Sequence, residues 1–330
     1  MVEAARRLFS DRVDPAMPLF PYALRLVTEA AARAVFDWIG RGQKERSDAA
    51  AVAAMRAVLN ALPFRGLVVI GEGEKDESAE LHKGELLGAG EDPPGYDIAV
   101  DPLEGTTYLA KGVTNAMAVI AIAPRGTLLD PGPCFYMEKF VASPAARGEI
   151  DPTRPTGEKL RRLAECLGKR VQDLTVYVLE KPRHNRLVAE IHDAGARVAL
   201  YPAGDVAGAI MAALPGSGID ALMGTGGTPE GIIAACAVRA LGGTFLGRLD
   251  PQLATEKRRV QEAGLDTGRW YRIEELVASD AALFCATGIT TGLLFEGVTL
   301  QDGQYRTQTL MISGVTGERQ LLTTYLPVSD

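Results

Sequence analysis

From about residue 175 the chain alternates short apolar runs with helical stripes of about ten residues, and this constrains the fold most. Thr175–Leu179, Arg197–Tyr201 and Ile219–Met223 read as strands. Arg186–Asp193, Val206–Leu214 and Glu230–Leu241 read as helices between and after them. Strands alternating with helices of that length specify a layered α/β sheet. The first half carries related parts. Apolar groups at Leu24, Val27, Ala31, Ala34 and Trp38 make one helical face, and Gly40-Arg41-Gly42 ends it. Ser47 or Asp48 is expected to cap a second helix with the stripe Val52, Met55, Leu59, Leu62. Buried strands are expected at Leu67–Ile70, Asp97–Val100 and Ala116–Ala123, with a turn over 124–133. The Pro-rich run at 151–155, followed by a polar helix, suggests a division into halves 1–150 and 151–330. Residues 283–325 read as strands and turns without an assigned half.

Composition narrows the function classes. The chain of 330 residues has a net charge of −7, which repels phosphate backbones and disfavours a nucleic-acid partner unless a local basic patch overrides it. No run of about 18 apolar residues marks a membrane span. The start has no apolar core of a secretory signal. Cys134, Cys166, Cys236 and Cys285 are widely spaced, as reduced thiols of a cytoplasmic protein would be. Three histidines make a structural zinc site a poor expectation.

Five strings carry candidate chemistry. Asp101-Pro102-Leu103-Glu104-Gly105-Thr106-Thr107 follows a buried strand and offers two carboxylates across a turn. Hard oxygen ligands suit Mg²⁺ or Mn²⁺. The alternative is an acidic turn with a threonine cap. Gly71-Glu72-Gly73-Glu74-Lys75-Asp76-Glu77 lacks the third glycine of a dinucleotide fingerprint. Alone it reads as a solvated acidic loop; beside a second acidic strand end, a shared metal site is the better reading. In Thr225–Gly231, Thr228 is expected to cap a helix with Pro229 first inside it. Glu230 then either complements the helix dipole or binds a ligand. Lys181-Pro182-Arg183-His184 is a local basic turn that suits a phosphate or is merely solvated. Asp205, after Tyr201-Pro202-Ala203-Gly204, is a helix cap or an acceptor for a sugar hydroxyl. Asp48 is ambiguous in the same way.

Gly40–Asp48, Ile70–Glu77, Asp97–Thr107, Tyr136-Met137-Glu138-Lys139, Lys181–His184, Gly226–Gly231 and Ala286-Thr287-Gly288-Ile289-Thr290 together resemble the class II (GlpX-type) fructose-1,6-bisphosphatases of the lithium-sensitive phosphatase superfamily. The resemblance runs in order from about residue 22 to about 320. It implies an αβαβα layering of two α/β halves and metal-dependent hydrolysis of the 1-phosphate of fructose 1,6-bisphosphate. By it, Asp48 and Glu72 would hold one divalent ion, Mn²⁺ or Mg²⁺, and Asp101, Glu104 and Glu230 a second. Glu104, Gly105, Thr106, Tyr136, Lys181, Pro182, Arg183, Ala203, Gly204, Asp205 and Gly227 would meet the substrate, and Thr106, Asp76 and Lys44 would stand nearest the reaction. A cytoplasmic homo-oligomer, dimer or tetramer, is expected. Ala203 departs from the family, which commonly has an acid there, and the first 20 or so residues resemble an extension. Two other readings remain: a phosphatase of sedoheptulose bisphosphate or another small sugar or inositol phosphate, and a sugar-phosphate sensor without turnover.

Overall fold

The computed structural model describes residues 21–71, 81–90 and 93–328. In chain order the elements begin with α1 (Pro21–Ala34), α2 (Lys44–Ala61), β1 (Gly66–Ile70), β2 (Leu86–Leu87), β3 (Tyr96–Glu104), α3 (Thr106–Lys111) and β4 (Met117–Pro124). Next come β5 (Tyr136–Ala142), α4 (Thr156–Leu167), β6 (Thr175–Leu179), α5 (Asn185–Asp193), β7 (Arg197–Tyr201), α6 (Asp205–Ala213) and β8 (Ala221–Gly227). The rest are α7 (Thr228–Ala240), β9 (Thr244–Leu249), α8 (Ala254–Glu262), β10 (Trp270–Arg272), α9 (Ile273–Leu276), β11 (Leu283–Gly288), β12 (Thr299–Gln301), β13 (Gln304–Ser313) and β14 (Arg319–Pro327).

The chain divides into two units, one of residues 1–128 with 279–330 and the other of residues 129–278. The division expected at residue 150 falls elsewhere for a reason visible in the strand order. β5 lies inside the second sheet, hydrogen-bonded to β8 and β9, so a cut at 150 would remove a central strand. The Pro-rich run at 151–155 is a connection within that unit, leading into α4. The unassigned end rejoins the first unit through β11 to β14.

The first unit is built on the sheet β12-β13-β11-β4-β3-β1-β2, with β14 also on β13. β14 pairs along 304–312 of β13, so β12 and β11 share the opposite edge of that long strand. β4 is buried on both faces except at its last residue, as its unbroken run Met117–Ala123 requires. β14 alternates exposed and half-buried residues along its whole length, the period of a strand covered on one face. α1 buries Leu24, Val27 and Ala31, the expected stripe. It stops at Ala34, and Trp38 belongs to a separate 3₁₀ turn.

The second unit has the sheet β10-β9-β5-β8-β6-β7, with β6 parallel to β7 and β8. Side-chain alternation sorts its helices onto two faces. Val176 and Val178 pack with Leu160 and Leu163 of α4 and Ile191 of α5. Tyr177, one residue out of phase, meets α6, where a Cβ on Gly208 would lie 2.6 Å from its ring. The alternation β6-α5-β7-α6-β8-α7 is the one expected. Two helix starts and two strand ends differ from the expectation. α2 begins at Lys44 after an N-cap at Gln43, and Ser47 sits inside it, its hydroxyl donating back to Lys44 O at 2.8 Å. Ser47 and Asp48 therefore lie inside the helix, and neither is its N-cap. α7 takes Gly227 as its N-cap, with Thr228 and Pro229 in its first turn. β3 extends through Glu104 and β8 through Gly227, which puts motif residues on the strands themselves.

Candidate active site

In the first unit the site grows from the end of β3. Asp101 and Glu104 are three residues apart, while their partners on β4, Val119 and Met117, are two apart. β3 thus carries one extra residue, a β-bulge. In a regular strand residues three apart face opposite sides; the extra residue turns both carboxylates to one side. Oxygens of the two lie within 4.8 Å of each other. The bulge is held by Asp101 Oδ1, which accepts the Leu103 N–H at 3.0 Å.

Gly105 then reverses the chain into α3 with φ +85°, a left-handed conformation that a side chain opposes. A Cβ there would also stand 2.8 Å from the Tyr108 ring. Thr106 opens α3, and its hydroxyl donates to Leu103 O at 3.1 Å. Lys44 Nζ donates to Thr107 Oγ1 at 3.0 Å. The Gly40–Gly42 turn places that lysine, since its Gly40 and Gly42 N–H groups donate to Leu109 O and Ala110 O of α3. Asp48 lies half-buried one helical turn beyond Lys44. The Ala286–Thr290 string has a supporting part. Thr290 Oγ1 accepts the Ala116 N–H at 2.9 Å, and Thr291 O accepts that of Asn115, fixing the loop that follows α3.

In the second unit the site lies at the ends of β5, β6 and β8. Arg183 donates through Nε and Nη2 to Thr225 O at 3.0 and 2.8 Å, and its guanidinium lies 5.3 Å from the centre of the Tyr136 ring. His184 is buried behind it. Its Nε2 accepts the Thr225 N–H at 2.8 Å, which leaves the proton on Nδ1, 2.6 Å from Leu179 O. Burial pushes the His184 pKa below its ordinary value. The basic turn is therefore no loose surface loop; two of its four residues lock it to β8.

Gly204 (φ +85°) caps α6, and Tyr177 donates its hydroxyl to Ala203 O and Gly204 O at 3.1 and 2.8 Å. Asp205, the first residue of α6, forms a buried ion pair with Lys139 of β5, whose Nζ also donates to Gly227 O at 2.6 Å. Two glycines make room for these groups. A Cβ on Gly226 would stand 2.1 Å from Asp205 Oδ2, and one on Gly227 would stand 1.8 Å from Glu230 Oε2. Glu230 occupies the first turn of α7. Its Oε2 is buried and accepts no hydrogen bond from the described residues. Dipole complementarity alone would leave such a carboxylate solvated or capping. A buried, unsatisfied anionic oxygen instead fits a cation ligand.

The model of the family described as "Bacterial fructose-1,6-bisphosphatase, glpX-encoded" matches residues 20–326. Over 301 residues the chain is 43% identical to the fructose-1,6-bisphosphatase 1 class 2 of Escherichia coli K12, covering 87% of this chain and 89% of that one. The chain belongs to the class 2, GlpX-type fructose-1,6-bisphosphatases. The Shigella flexneri class 2 enzyme matches to the same extent. Among solved structures, the extragenic suppressor protein SuhB of Bartonella henselae aligns over 57% of this chain and 71% of its own, at 18% identity and a TM-score of 0.34.

Class 2 membership makes the chain a phosphoric monoester hydrolase of a divalent-metal-dependent family. Hard carboxylate oxygens, at Asp101 and Glu104 in the first unit and at Glu230 in the second, are the kind of donor such a cation takes. Of the residues expected from the sequence, Glu72 and Asp76 lie outside the described residues, as does the expected N-terminal extension. The sequence reading gave Lys139 no role. Its signal was a lysine inside the apolar run that β5 needs at the sheet centre, where an unpaired charge would be costly.

Proposed function

We propose that the chain hydrolyses the 1-phosphate of fructose 1,6-bisphosphate, yielding fructose 6-phosphate and phosphate. Asp48, Glu72, Asp101, Glu104 and Glu230 are the residues that would supply carboxylate oxygens to Mn²⁺ or Mg²⁺. The observation that carries this reading is Glu230 Oε2, a buried carboxylate oxygen with no hydrogen-bond donor among the described residues, kept clear by a glycine. When bound, a divalent cation of this kind supplies charge neutralisation at the ester oxygens and lowers the pKa of a water.

The protein's own groups do the positioning. Thr106 commits its hydroxyl hydrogen to Leu103 O, so its oxygen presents lone pairs and accepts a hydrogen bond from the attacking water. Asp76 receives the proton. Lys44 keeps two N–H groups beyond its bond to Thr107 and directs them at the reacting phosphate. Lys181 and Arg183 hold the distal 6-phosphate, and binding there orients the 1-phosphate for in-line attack. Arg183 suits this because Thr225 O and the Tyr136 face fix its plane before substrate arrives. Asp205 accepts a sugar hydroxyl, with the Lys139 ion pair holding its carboxylate in place. Gly105, Pro182, Gly204 and Gly227 let the backbone approach the ligand. Four cysteines outside any disulfide fit the reducing cytoplasm, where we place the protein as a homo-oligomer.

Glu230→Gln tests the reading by removing the ligand charge at nearly constant shape. Phosphate release should fall by about 10², and half-activation should need a higher Mn²⁺ concentration, with the melting temperature unchanged. Unchanged turnover and unchanged Mn²⁺ demand would reduce Glu230 to a dipole partner.

A further inference from the structure

Within the second unit, one buried side chain of α8 reaches across to the start of β5. Glu256 is the third residue of α8 and only 1% exposed. Its Oε2 accepts the Gln252 and Leu253 N–H groups at 2.9 and 3.2 Å, as a glutamate in a first helical turn commonly does. One oxygen suffices for that. Oε1 instead accepts the Phe135 N–H at 2.6 Å and the Tyr136 N–H at 3.0 Å, from residues 121 and 120 positions earlier in the chain. Capping α8 gives no reason for this second pair of bonds.

What the bonds fix is the residue whose ring carries Arg183. β9 pairs with β5 only as far as Leu249, opposite Met137. One position further on, Tyr136 O accepts the Asp250 N–H at 2.9 Å and the Cys134 thiol at 3.3 Å, while the Tyr136 N–H takes Glu256 Oε1 in place of a strand carbonyl. Both backbone polar groups of Tyr136 are thereby held, and the Arg183 guanidinium lies 5.3 Å from the centre of its ring. Asp250 ties the same group from another direction. Its Oδ2 accepts the Thr225 hydroxyl at 2.6 Å, and Thr225 O accepts the two Arg183 bonds. The opposite edge of β5 does not depend on Glu256. Tyr136 pairs there with Gly227 of β8, and Phe135 O accepts the Thr228 N–H at 2.8 Å. Removing the Glu256 bonds therefore leaves β5 in its sheet and loosens the Tyr136 backbone on one side.

We propose that Glu256 is a positioning residue for substrate binding: by holding the Tyr136 backbone it sets the ring against which Arg183 rests, and so the guanidinium that meets the distal phosphate. The inference rests on the assignment of Tyr136 and Arg183 to the substrate given above. It adds a residue that touches no substrate and acts through one that does.

Glu256→Asp tests it, because aspartate keeps an acid in the first turn of α8 but is one methylene too short to span from there to β5. In the full chain with Mn²⁺, its KM for fructose 1,6-bisphosphate should rise about ten-fold, the equivalent of one lost hydrogen bond to a charged group, with kcat within about two-fold of the parent. The Ki of fructose 6-phosphate, which keeps the distal phosphate, should rise in step. In a Tyr136→Leu background the same substitution should change KM by less than about two-fold, because the ring it sets is gone. Circular dichroism at the assay temperature checks that each variant is folded. Glu256→Gln, which turns one acceptor oxygen into a donor, takes the place of Glu256→Asp if the latter does not fold. A Glu256 that only supports the fold would instead lower kcat through the active fraction, leave KM and Ki alone, and add its loss to that of Tyr136→Leu. Any of these results, or parental kinetics in Glu256→Asp, overturns the proposal while turnover of fructose 1,6-bisphosphate by the parent still upholds the substrate reading. A parent with no such turnover overturns the substrate reading, and the proposal with it.

Discussion

Gly227→Ala separates a requirement of the fold from a requirement of the chemistry. Gly227 has φ −66° and ψ 140°, ordinary values for any residue, so alanine brings no backbone strain there. The conflict is with one group. The new methyl would stand 1.8 Å from Glu230 Oε2 and 2.4 Å from Cδ, well inside contact distance, so the carboxylate must swing away. Glu230 is half-buried and ends in flexible torsions, and an off-rotamer side chain costs about 0.5–1.5 kcal/mol. The loss of stability should therefore be near 1 kcal/mol. Activity should suffer more, because displacing a positioned group by about 1 Å can cost 10²-fold, or about 2.7 kcal/mol in the barrier. Phosphate release and thermal melting of Gly227→Ala, Glu230→Gln and the double variant form the assay. The double variant should be no worse than Glu230→Gln alone, because both changes remove the same carboxylate. Near-parental kcat in Gly227→Ala would refute the reasoning, and so would additive losses in the double variant.

Three further outcomes can be measured. Lys139→Met leaves the buried Asp205 carboxylate without its partner and should cost about 3–5 kcal/mol in urea unfolding; Lys139→Met combined with Asp205→Asn should recover much of it. His184 is held neutral by burial, with its pKa below the ordinary 6.5, while the unfolded chain takes up a proton at that ordinary value. Stability should therefore fall as pH drops from about 7 through 6.5 to the lowered value, and His184→Gln should flatten this slope in melts between about pH 5 and 7.5; an identical slope would show that other groups set it. Ala203→Asp restores an acid beside Gly204 and adds one acceptor, worth roughly 0.5–1.5 kcal/mol. The ratio of kcat/KM for fructose 1,6-bisphosphate over sedoheptulose 1,7-bisphosphate should shift at least two-fold, and an unchanged ratio would show that the side chain faces away from the sugar.

The parts of the fold that the sequence made legible are those set by local periodicity. Thr175–Leu179 and Arg197–Tyr201 are strands over the expected residues because an apolar run of five between turn signals admits little else. The division into units was not legible, because it depends on pairing at long range. β5 is a strand by its own sequence, but nothing in Tyr136–Ala142 says that it pairs with residues some 85 positions later rather than with its neighbour β4. Helix starts failed for a related reason. Ser47 is a good cap by type, yet its hydroxyl bonds back to Lys44 O, because the turn at Gly40–Gly42 already launches the helix.

Spacing alone does not carry the environment of the two acidic strings. Asp101 and Glu104, expected across a turn, lie on β3, where three residues of separation would mean opposite faces, and the bulge opposite Val119 and Met117 brings them to one side. Glu230 looks well placed to do nothing more than complement a dipole, and the orphaned Oε2 says otherwise. Both signals live in side-chain environment rather than in residue type. The glycines link the two levels: Gly105 is required by its left-handed φ, Gly227 by a carboxylate. In a sequence the two glycines are indistinguishable. Only the atom that an added Cβ would strike tells that one shapes the chain and the other clears a ligand.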